Sequence, residues 1–371
     1  MSNQVRIGIV GTSWWTDSMY MPALIKHPNA DVRAVVGRNL DHTREFAKQW
    51  KVPNAYANLE ELLSNETVDA IIIATPNKQH YAIAMTAIEH GLHVLCEKPL
   101  AMNYTEASNM AEAADTAGVK TMVPFTYRFM PTARYLRELI EQGYIGKPYH
   151  LNMRYYTGYA REGQYMWRFD LDESGSGVVG DLGTHWLYLA DWFYGEIKAV
   201  SAMLGYHVSR EPRPDGQPYE LADDSAVMML EFENGARGVL HLSSVAYEET
   251  PFEQTHHMEF HGRGGTLYSF TDWDKTQSVS GAREGEGPIH DLPIPDHIWG
   301  MARRDSVPNT YKDIFRDHDF MARGFVSAIA NNTSVEPSFQ DGAKIQRYLE
   351  AALLSAQEGR RVEVNEIQSQ E

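Results

Sequence analysis

Residues 5–16 read Val5-Arg6-Ile7-Gly8-Ile9-Val10-Gly11-Thr12-Ser13-Trp14-Trp15-Thr16. Val5–Val10 is a short, mostly apolar run stopped by glycine, the pattern of a parallel strand buried on both faces. A strand, a glycine turn and a helix form the unit that seats a dinucleotide pyrophosphate. Glycine lets the backbone approach the phosphates, and the helix N-terminus offers them free N–H groups. Of the G-x-G-x-x-G pattern only Gly11 remains; Ser13 and Thr16 hold the other two glycine places. A plain strand-to-helix turn reads the stretch equally well, so its weight comes from what surrounds it.

Outward from this turn, strand and helix signals alternate. Val32–Val36, Val68–Ala74, Val94–Leu95 and Thr121–Phe125 are further apolar runs. Between them Asp41 can cap a helix running to Trp50, while Asn58 with Glu61 and Asn103 with Glu106 have capping-box spacing. Gly91 and Gly118 stand where helices end. Strands alternating with helices predict an α/β Rossmann domain, a doubly wound parallel sheet, over residues 1–125.

After Pro131 the pattern changes. A helix over Thr132–Gln142 runs into Gly143 and Gly146-Lys147-Pro148, a breaker cluster. Longer alternating strands follow at His150–Thr157, Ala226–Phe232 and Ala236–Val245, the last two joined by Glu233-Asn234-Gly235, a hairpin signal. His257–His261 and Thr266–Phe270 predict a second hairpin, Gly180–Tyr194 a helix, and His318–Ala330 and Asp341–Glu358 closing helices; 209–220 and 272–310 read as loops. Residues 126–371 are therefore expected to form an α+β domain with a large, mostly antiparallel open sheet, whose terminal helices can pack back on the first domain.

The 371 residues carry 33 Lys and Arg against 50 Asp and Glu, a net −17. Such acidity excludes binding nucleic acid through its phosphates. The first 125 residues hold 10 basic and 13 acidic side chains, so most of the negative charge lies beyond them. A single cysteine, Cys96, excludes an intrachain disulfide and a cysteine-rich zinc site. No apolar stretch is long enough to span a membrane, and the N-terminus lacks the basic and apolar regions of a secretory signal. A cytoplasmic protein without membrane or metal partners is expected.

The second strand ends Val36-Gly37-Arg38-Asn39. The acid that bonds the adenosine ribose of NAD is missing, and an arginine stands beside its place. A guanidinium binds a 2′-phosphate that a carboxylate would repel, which favours NADP over NAD, with Arg44 able to assist. Stacking of Arg38 on adenine is the simpler alternative. Trp14 and Trp15 either pack the helix on the sheet or wall a cleft. At the carboxyl edge, where ligands of open α/β sheets bind, Thr75, Asn77 and His80 follow one strand and Glu97-Lys98-Pro99 another.

ATPNKQH (74–80) and CEKPL (96–100), placed after an N-terminal glycine turn, resemble the Gfo/Idh/MocA oxidoreductase family. FTYRFMP (125–131), GYIGKP (143–148), SGSGVVGDLGTHWLYLADWFYG (174–195) and the stretch from FVSAIANN to GRRVEV extend the likeness over nearly the whole chain. The glycine turn is where the sequence departs. The resemblance implies hydride transfer between NAD(P) and a hydroxyl of a sugar, sugar derivative or cyclitol. It also implies a Lys98–Asp181–His185 catalytic trio and a homodimer or homotetramer.

The residues themselves suit that chemistry. Oxidising an alcohol needs a proton acceptor and a positive neighbour for the developing alkoxide. His185 is the natural base, Lys98 the cation, and Asp181, four residues before His185, shares its helix face. Glu97 can position Lys98 or contact the nicotinamide ribose. The cofactor set is thus Gly11, Thr12, Ser13, Trp14, Trp15, Arg38, Thr75, Asn77, His80, Glu97 and Lys98. Aromatics crowd Tyr155, Tyr156, Tyr159, Tyr165 and Trp167, with Arg161 and Arg168 among them, as a sugar ring requires; sheet packing explains some of these equally well. Lys98, Tyr127, Arg161, Trp167, Asp181 and His185 are the substrate candidates. Transient oxidation with the cofactor regenerated, as in a lyase or glycosidase, and a non-catalytic dinucleotide-binding regulator stand as rival readings.

Overall fold

A computed structural model describes residues 3–250, 253–272, 275 and 277–369. The described chain divides into two compact units, one running to Pro124 and including Lys312–Lys344, the other formed by Phe125–Tyr311 and residues 345–369.

In the first unit, β1 (Val5–Val10), β2 (Ala30–Val36), β3 (Asn54–Tyr56), β4 (Ala70–Ile73), β5 (His93–Cys96) and β6 (Thr121–Met122) form one sheet in the order β3-β2-β1-β4-β5-β6. Every pairing is parallel. β3 is one strand more than the apolar runs indicate: Asn-Ala-Tyr at a sheet edge pairs with β2 without an apolar run of its own. Ile7, Ile9, Ile71, Ile72 and Ile73 are wholly buried, as central strands covered on both faces demand. Each such side chain contributes about 1.5–3 kcal/mol relative to exposure. Because β1 leads to β2 on one side and β4 lies on the other, the winding reverses between β1 and β4. That reversal is the switch point where open α/β sheets bind ligands.

Asn58 and Asn103 cap their helices by accepting the N–H groups of Glu61 and Glu106 at 2.8 and 2.9 Å. The helix Leu40–Trp50 corrects the expectation for Asp41. Its cap is Asn39, whose side-chain oxygen accepts the His42 N–H at 3.1 Å; Asp41 sits in the first turn, where its charge suits the helix dipole. The helix Met321–Asn331 packs on β1, β5 and β6.

The second unit is built on β7 (Pro148–Thr157), β8 (Ile197–Gly205), β9 (Ser225–Phe232), β10 (Arg237–Ser243), β11 (Gln254–Gly262), β12 (Gly265–Asp272), β13 (Ser278–Arg283), β14 (His290–Asp291) and β15 (Val362–Glu363). Their order is β14-β13-β12-β11-β7-β10-β9-β8-β15. Only β7 with β10 is parallel among these pairings. Both expected hairpins form, the first across Gly235 at φ +89°. The loop expected over 272–310 instead contains β13, β14, the short helix Asp296–Trp299 and the start of the helix Val307–Arg316. β13 reads Ser-Val-Ser-Gly-Ala-Arg, and its small residues conceal the alternation.

Leu151, Met153, Met228, Leu230, Leu240, Leu242 and Phe260 are buried on one face of this sheet, and the helix Thr184–Tyr194 packs against β7. The helix expected over Gly180–Tyr194 is not uniform. Val179–Gly183 is a wide π-helical turn that passes into the α-helix at Thr184. Gly183 lies so close to the sheet that a Cβ would come within 2.9 Å of Leu242. Among the described residues no helix is long and apolar enough to cross a membrane.

Candidate active site

In the first unit β1 ends at Gly11, with φ at +111°, and a Cβ there would lie 2.4 Å from the Ala74 carbonyl oxygen at the end of β4. Only glycine lets the two strand ends close in this way. The Ser13 and Thr16 departures are compensated locally. Thr16 Oγ1 donates to the Gly11 carbonyl at 2.8 Å, and Ser13 Oγ accepts the Thr16 N–H at 3.3 Å. Thr12 is half-buried and Ser13 exposed. The following helix opens with a π turn, Thr16–Tyr20.

The two tryptophans have different surroundings. Trp14 is 68% exposed. Trp15 lies edge-on to Phe315, and its Nε1 donates to Glu97 Oε1 at 2.7 Å. Tyr20 donates its hydroxyl to the same oxygen at 2.5 Å, and the Lys98 backbone N–H reaches Glu97 Oε2 at 3.2 Å. Glu97 is therefore anchored by three donors. Burial pushes its carboxyl above the usual carboxylate range, against the nearby Lys98 charge and these donors. Burial, with the Glu97 charge, also pushes the Tyr20 phenol well up. Tyr20 was not among the expected site residues; its only sequence signal is its place five residues after Trp15.

His80 is wholly buried, its ring spanning the carbonyl oxygens of Pro99 and Thr75 at 3.0 Å each. Burial lowers its pKa. His80 thereby ties the loop after β4 to the loop after β5. Asn77 is buried and Lys98 half-buried. Thr75 Oγ1 is buried with no hydrogen-bond partner among the described residues, a polar atom left at the switch point for a ligand to satisfy.

At the end of β2 a side chain on residue 37 cannot fit, since a Cβ would meet Thr43 Oγ1 at 2.5 Å and Thr12 Oγ1 at 3.1 Å. Arg38 beside it is exposed and bonds no described residue. His42 Nε2 stands 3.3 Å from the Thr12 carbonyl, and Arg44 pairs with Asp41 at 3.3 Å.

In the second unit Asp181 lies in the π turn and His185 in the first α-helical turn after it. Asp223 organises the start of this helix. Its carboxylate accepts the N–H groups of Gly177 and Val179, both at 2.8 Å, and its carbonyl accepts that of Val178 at 2.9 Å. Asp181 Oδ2 accepts the Tyr159 hydroxyl at 2.8 Å and lies 3.5 Å from Arg168 Nε. His185 is 6% exposed, its ring meeting that of Tyr127 edge-on at 4.9 Å.

Tyr127, one of the substrate candidates, is buried among Tyr155, Trp186 and His256, its hydroxyl 2.7 Å from that of Tyr155. Burial, reinforced by Arg154, pushes His256 down to about 3. Arg161 is exposed, stacks on Tyr247 and lies 3.9 Å from Glu253. Trp167 is half-buried beneath the Arg168 guanidinium. Tyr159 and Arg168 had been noted in sequence as candidates for packing or sugar contact, but not as partners of Asp181. Asp223 had no sequence signal beyond the Asp223-Asp224 doublet.

The order of the first sheet, its glycine turn at the switch point and the glutamate-anchored lysine fit a dinucleotide. A family model described as the oxidoreductase family with an NAD-binding Rossmann fold matches residues 5–125, and that of the GFO/IDH/MocA C-terminal domain matches residues 133–268. The chain belongs to the GFO/IDH/MocA oxidoreductase family. Levoglucosan dehydrogenase of Pseudarthrobacter phenanthrenivorans is 28% identical over 92% of this chain and 91% of its own length. The scyllo-inositol 2-dehydrogenase (NADP(+)) of Bacillus subtilis is also 28% identical, over 79% of this chain and 83% of its own. Among solved structures, levoglucosan dehydrogenase in complex with NADH and levoglucosan superposes with a TM-score of 0.84 at 25% identity, covering 97% of this chain and 99% of that one. This GFO/IDH/MocA member is thus an oxidoreductase with an NAD-binding Rossmann domain and a second domain built on a mostly antiparallel sheet.

Proposed function

We propose that the protein moves a hydride between NAD(P) and a secondary hydroxyl of a sugar, sugar derivative or cyclitol. The observation that carries this reading is the placement of Asp181 in a π turn and His185 in the α-helical turn that follows it, with the Asp181 carboxylate held by Tyr159 and Arg168. Family membership supplies the redox class. The names of the relatives, which include a levoglucosan dehydrogenase and a scyllo-inositol dehydrogenase, support the substrate class.

When bound, nicotinamide supplies the hydride acceptor or donor. In the oxidative direction the imidazole of His185 takes the hydroxyl proton, and the Lys98 ammonium stabilises the negative charge left on oxygen. Asp181 orients the substrate or the histidine. Glu97, anchored by Trp15 and Tyr20, fixes the backbone that carries Lys98. Gly11, Thr12 and Ser13 seat the pyrophosphate, with Trp14, Thr75 and Asn77 beside them. His80 and Trp15 act by positioning these loops. Trp167 and Arg161 face the sugar, while Tyr127 supports the His185 ring from behind.

Arg38, exposed and without a partner among the described residues beside a strand end too tight for an acid, favours NADP. The open face of the large sheet exposes Met203, Met229, Val239 and Phe270, and we assign it to a second copy of the chain in a homodimer or homotetramer. The test of the function is a panel of sugars, anhydrosugars and inositols with each cofactor, read by absorbance of the reduced nicotinamide. Accumulation of NAD(P)H with at least one of them is expected. Product formation without net absorbance change would instead mean transient oxidation.

A further inference from the structure

Between β8 and β9 the chain runs from Tyr206 to Glu220 without regular structure, yet it is bound at many points. Asp224 Oδ2 accepts the N–H groups of His207 and Val208 at 2.8 and 2.9 Å, fixing where the segment begins. Arg210 then lays its guanidinium over the Phe169 ring at 3.9 Å and donates to the carbonyls of Ala160 and Glu162 at 3.0 and 3.1 Å. Arg213 grips Asp170 with two bonds, Nε to Oδ2 at 2.5 Å and Nη2 to Oδ1 at 2.7 Å, and also reaches Asp172 at 2.8 Å. The Asp170 side chain is wholly buried, and Tyr165 donates to it at 3.1 Å. A bidentate guanidinium on a buried carboxylate is a geometric constraint as well as an attraction.

The gripped stretch, Ala160–Asp172, contains Trp167 and Arg168, which stack on one another. Arg168 in turn lies 3.5 Å from Asp181. The same helix start that carries Asp181 is held by Asp223, the neighbour of Asp224, which fixes the start of the Tyr206–Glu220 segment. Two sets of contacts thus meet at this stretch: Arg213 fixes Asp170, two residues after Arg168, and Arg168 reaches Asp181. Both arginines bind backbone or buried groups on either side of Trp167–Arg168, and neither Trp167 nor Arg168 is itself held by them.

We infer that Arg213 is a specificity-determining positioning residue: through Asp170 it sets where Trp167 and Arg168 stand beside Asp181, and hence which polyhydroxylated ring is accepted. The inference rests on the reading of Asp181 as part of the substrate site. Without Arg213 the segment would still fold but would no longer hold one conformation, so binding of the sugar suffers while the Rossmann unit does not.

The full-length Arg213→Gln variant tests this by steady-state kinetics with the best sugar from the panel and by hydrogen exchange of peptides within residues 160–172. Exchange there should accelerate and the sugar KM rise by about tenfold, the worth of one well-placed hydrogen bond. The cofactor KM should stay within a factor of about two, and the preference between the two best sugars should narrow. Arg213→Lys, which keeps the charge but loses the fork, should recover only part of the effect. Should Arg213→Gln fail to fold because Asp170 is left buried and unpaired, the Asp170→Asn/Arg213→Gln pair carries the same expectation without a buried charge. A folded variant with unchanged sugar KM and unchanged exchange overturns the inference alone. A wild-type protein inert towards every sugar and cyclitol, yet binding NAD(P)H, overturns the functional reading and the inference with it.

Discussion

Tyr159 donates its hydroxyl to Asp181 Oδ2 at 2.8 Å, joining residues 22 apart in the chain. Burial, with the Asp181 charge beside it, holds the Tyr159 phenol well above its ordinary range, so it remains a donor wherever the enzyme would work. Tyr159→Phe removes that donor and little else. A hydrogen bond to a charged group is worth about 1.5–3 kcal/mol, so kcat/KM for the sugar should fall by about 10- to 100-fold. Circular dichroism and NAD(P)H affinity should be unchanged. Wild-type kinetics in this variant would remove Asp181 from the substrate site.

The hydroxyl–carboxylate contact was invisible in the sequence, and the reason is general to the site. The first sheet was legible because central parallel strands must bury both faces: Ile71-Ile72-Ile73 admits few other readings. The Asn234-Gly235 turn was legible because few other residues take its backbone angles. By contrast β3 and β13 draw their stability from the neighbours they pair with, and their own side chains are short or polar. The π turn at Val179–Gly183 depends on hydrogen-bond register, which apolar spacing does not encode. Lys98, Asp181 and His185 could be named from motifs. Their anchors Glu97–Tyr20, Tyr159–Asp181 and Asp223–Gly177 are tertiary contacts to Tyr20, Tyr159 and Asp223, residues that no motif singles out.

His256 provides a stability prediction. Its folded pKa is depressed to about 3 by burial and by Arg154. The unfolded chain therefore binds the proton more tightly, and the contribution of neutral His256 is complete above about pH 6.5 and lost as pH falls towards 3. Each pH unit within that window costs about 1.4 kcal/mol. Burial lowers the His80 pKa too, adding a loss of the same sign. His256→Phe, which keeps a ring among Tyr127, Tyr155 and Trp186, should flatten the acid side of the stability curve. Thermal melts at pH 5 and pH 7.5 check it: the wild-type loss between them should exceed that of the variant.

The proposed preference for NADP rests on Arg38. Position 37 has no room for a side chain and the exposed guanidinium bonds no described residue, so the proposal gives it a 2′-phosphate. Arg38→Asp replaces attraction for a 2′-phosphate by repulsion. The ratio of kcat/KM for NADP to that for NAD should fall by about 100-fold, near 3 kcal/mol. Cofactor titrations at fixed sugar measure it, and a ratio that does not move would return Arg38 to a stacking role on adenine.

Lys98 and His185 are assigned the alkoxide and the proton respectively, and their variants should fail in different ways. Lys98→Ala leaves the backbone N–H that Glu97 accepts, so the loop should keep its shape and NAD(P)H fluorescence titrations should give wild-type affinity. Turnover should nevertheless drop by about 10²- to 10⁴-fold, the usual worth of a positioned acid–base group. Because the missing group is an ammonium, small primary amines in the assay should restore part of the rate. His185→Asn keeps a polar side chain against the Tyr127 ring and should suffer a comparable loss that amines do not relieve. If amines rescue both variants equally, or neither variant is slowed, the division of roles between the two residues is wrong.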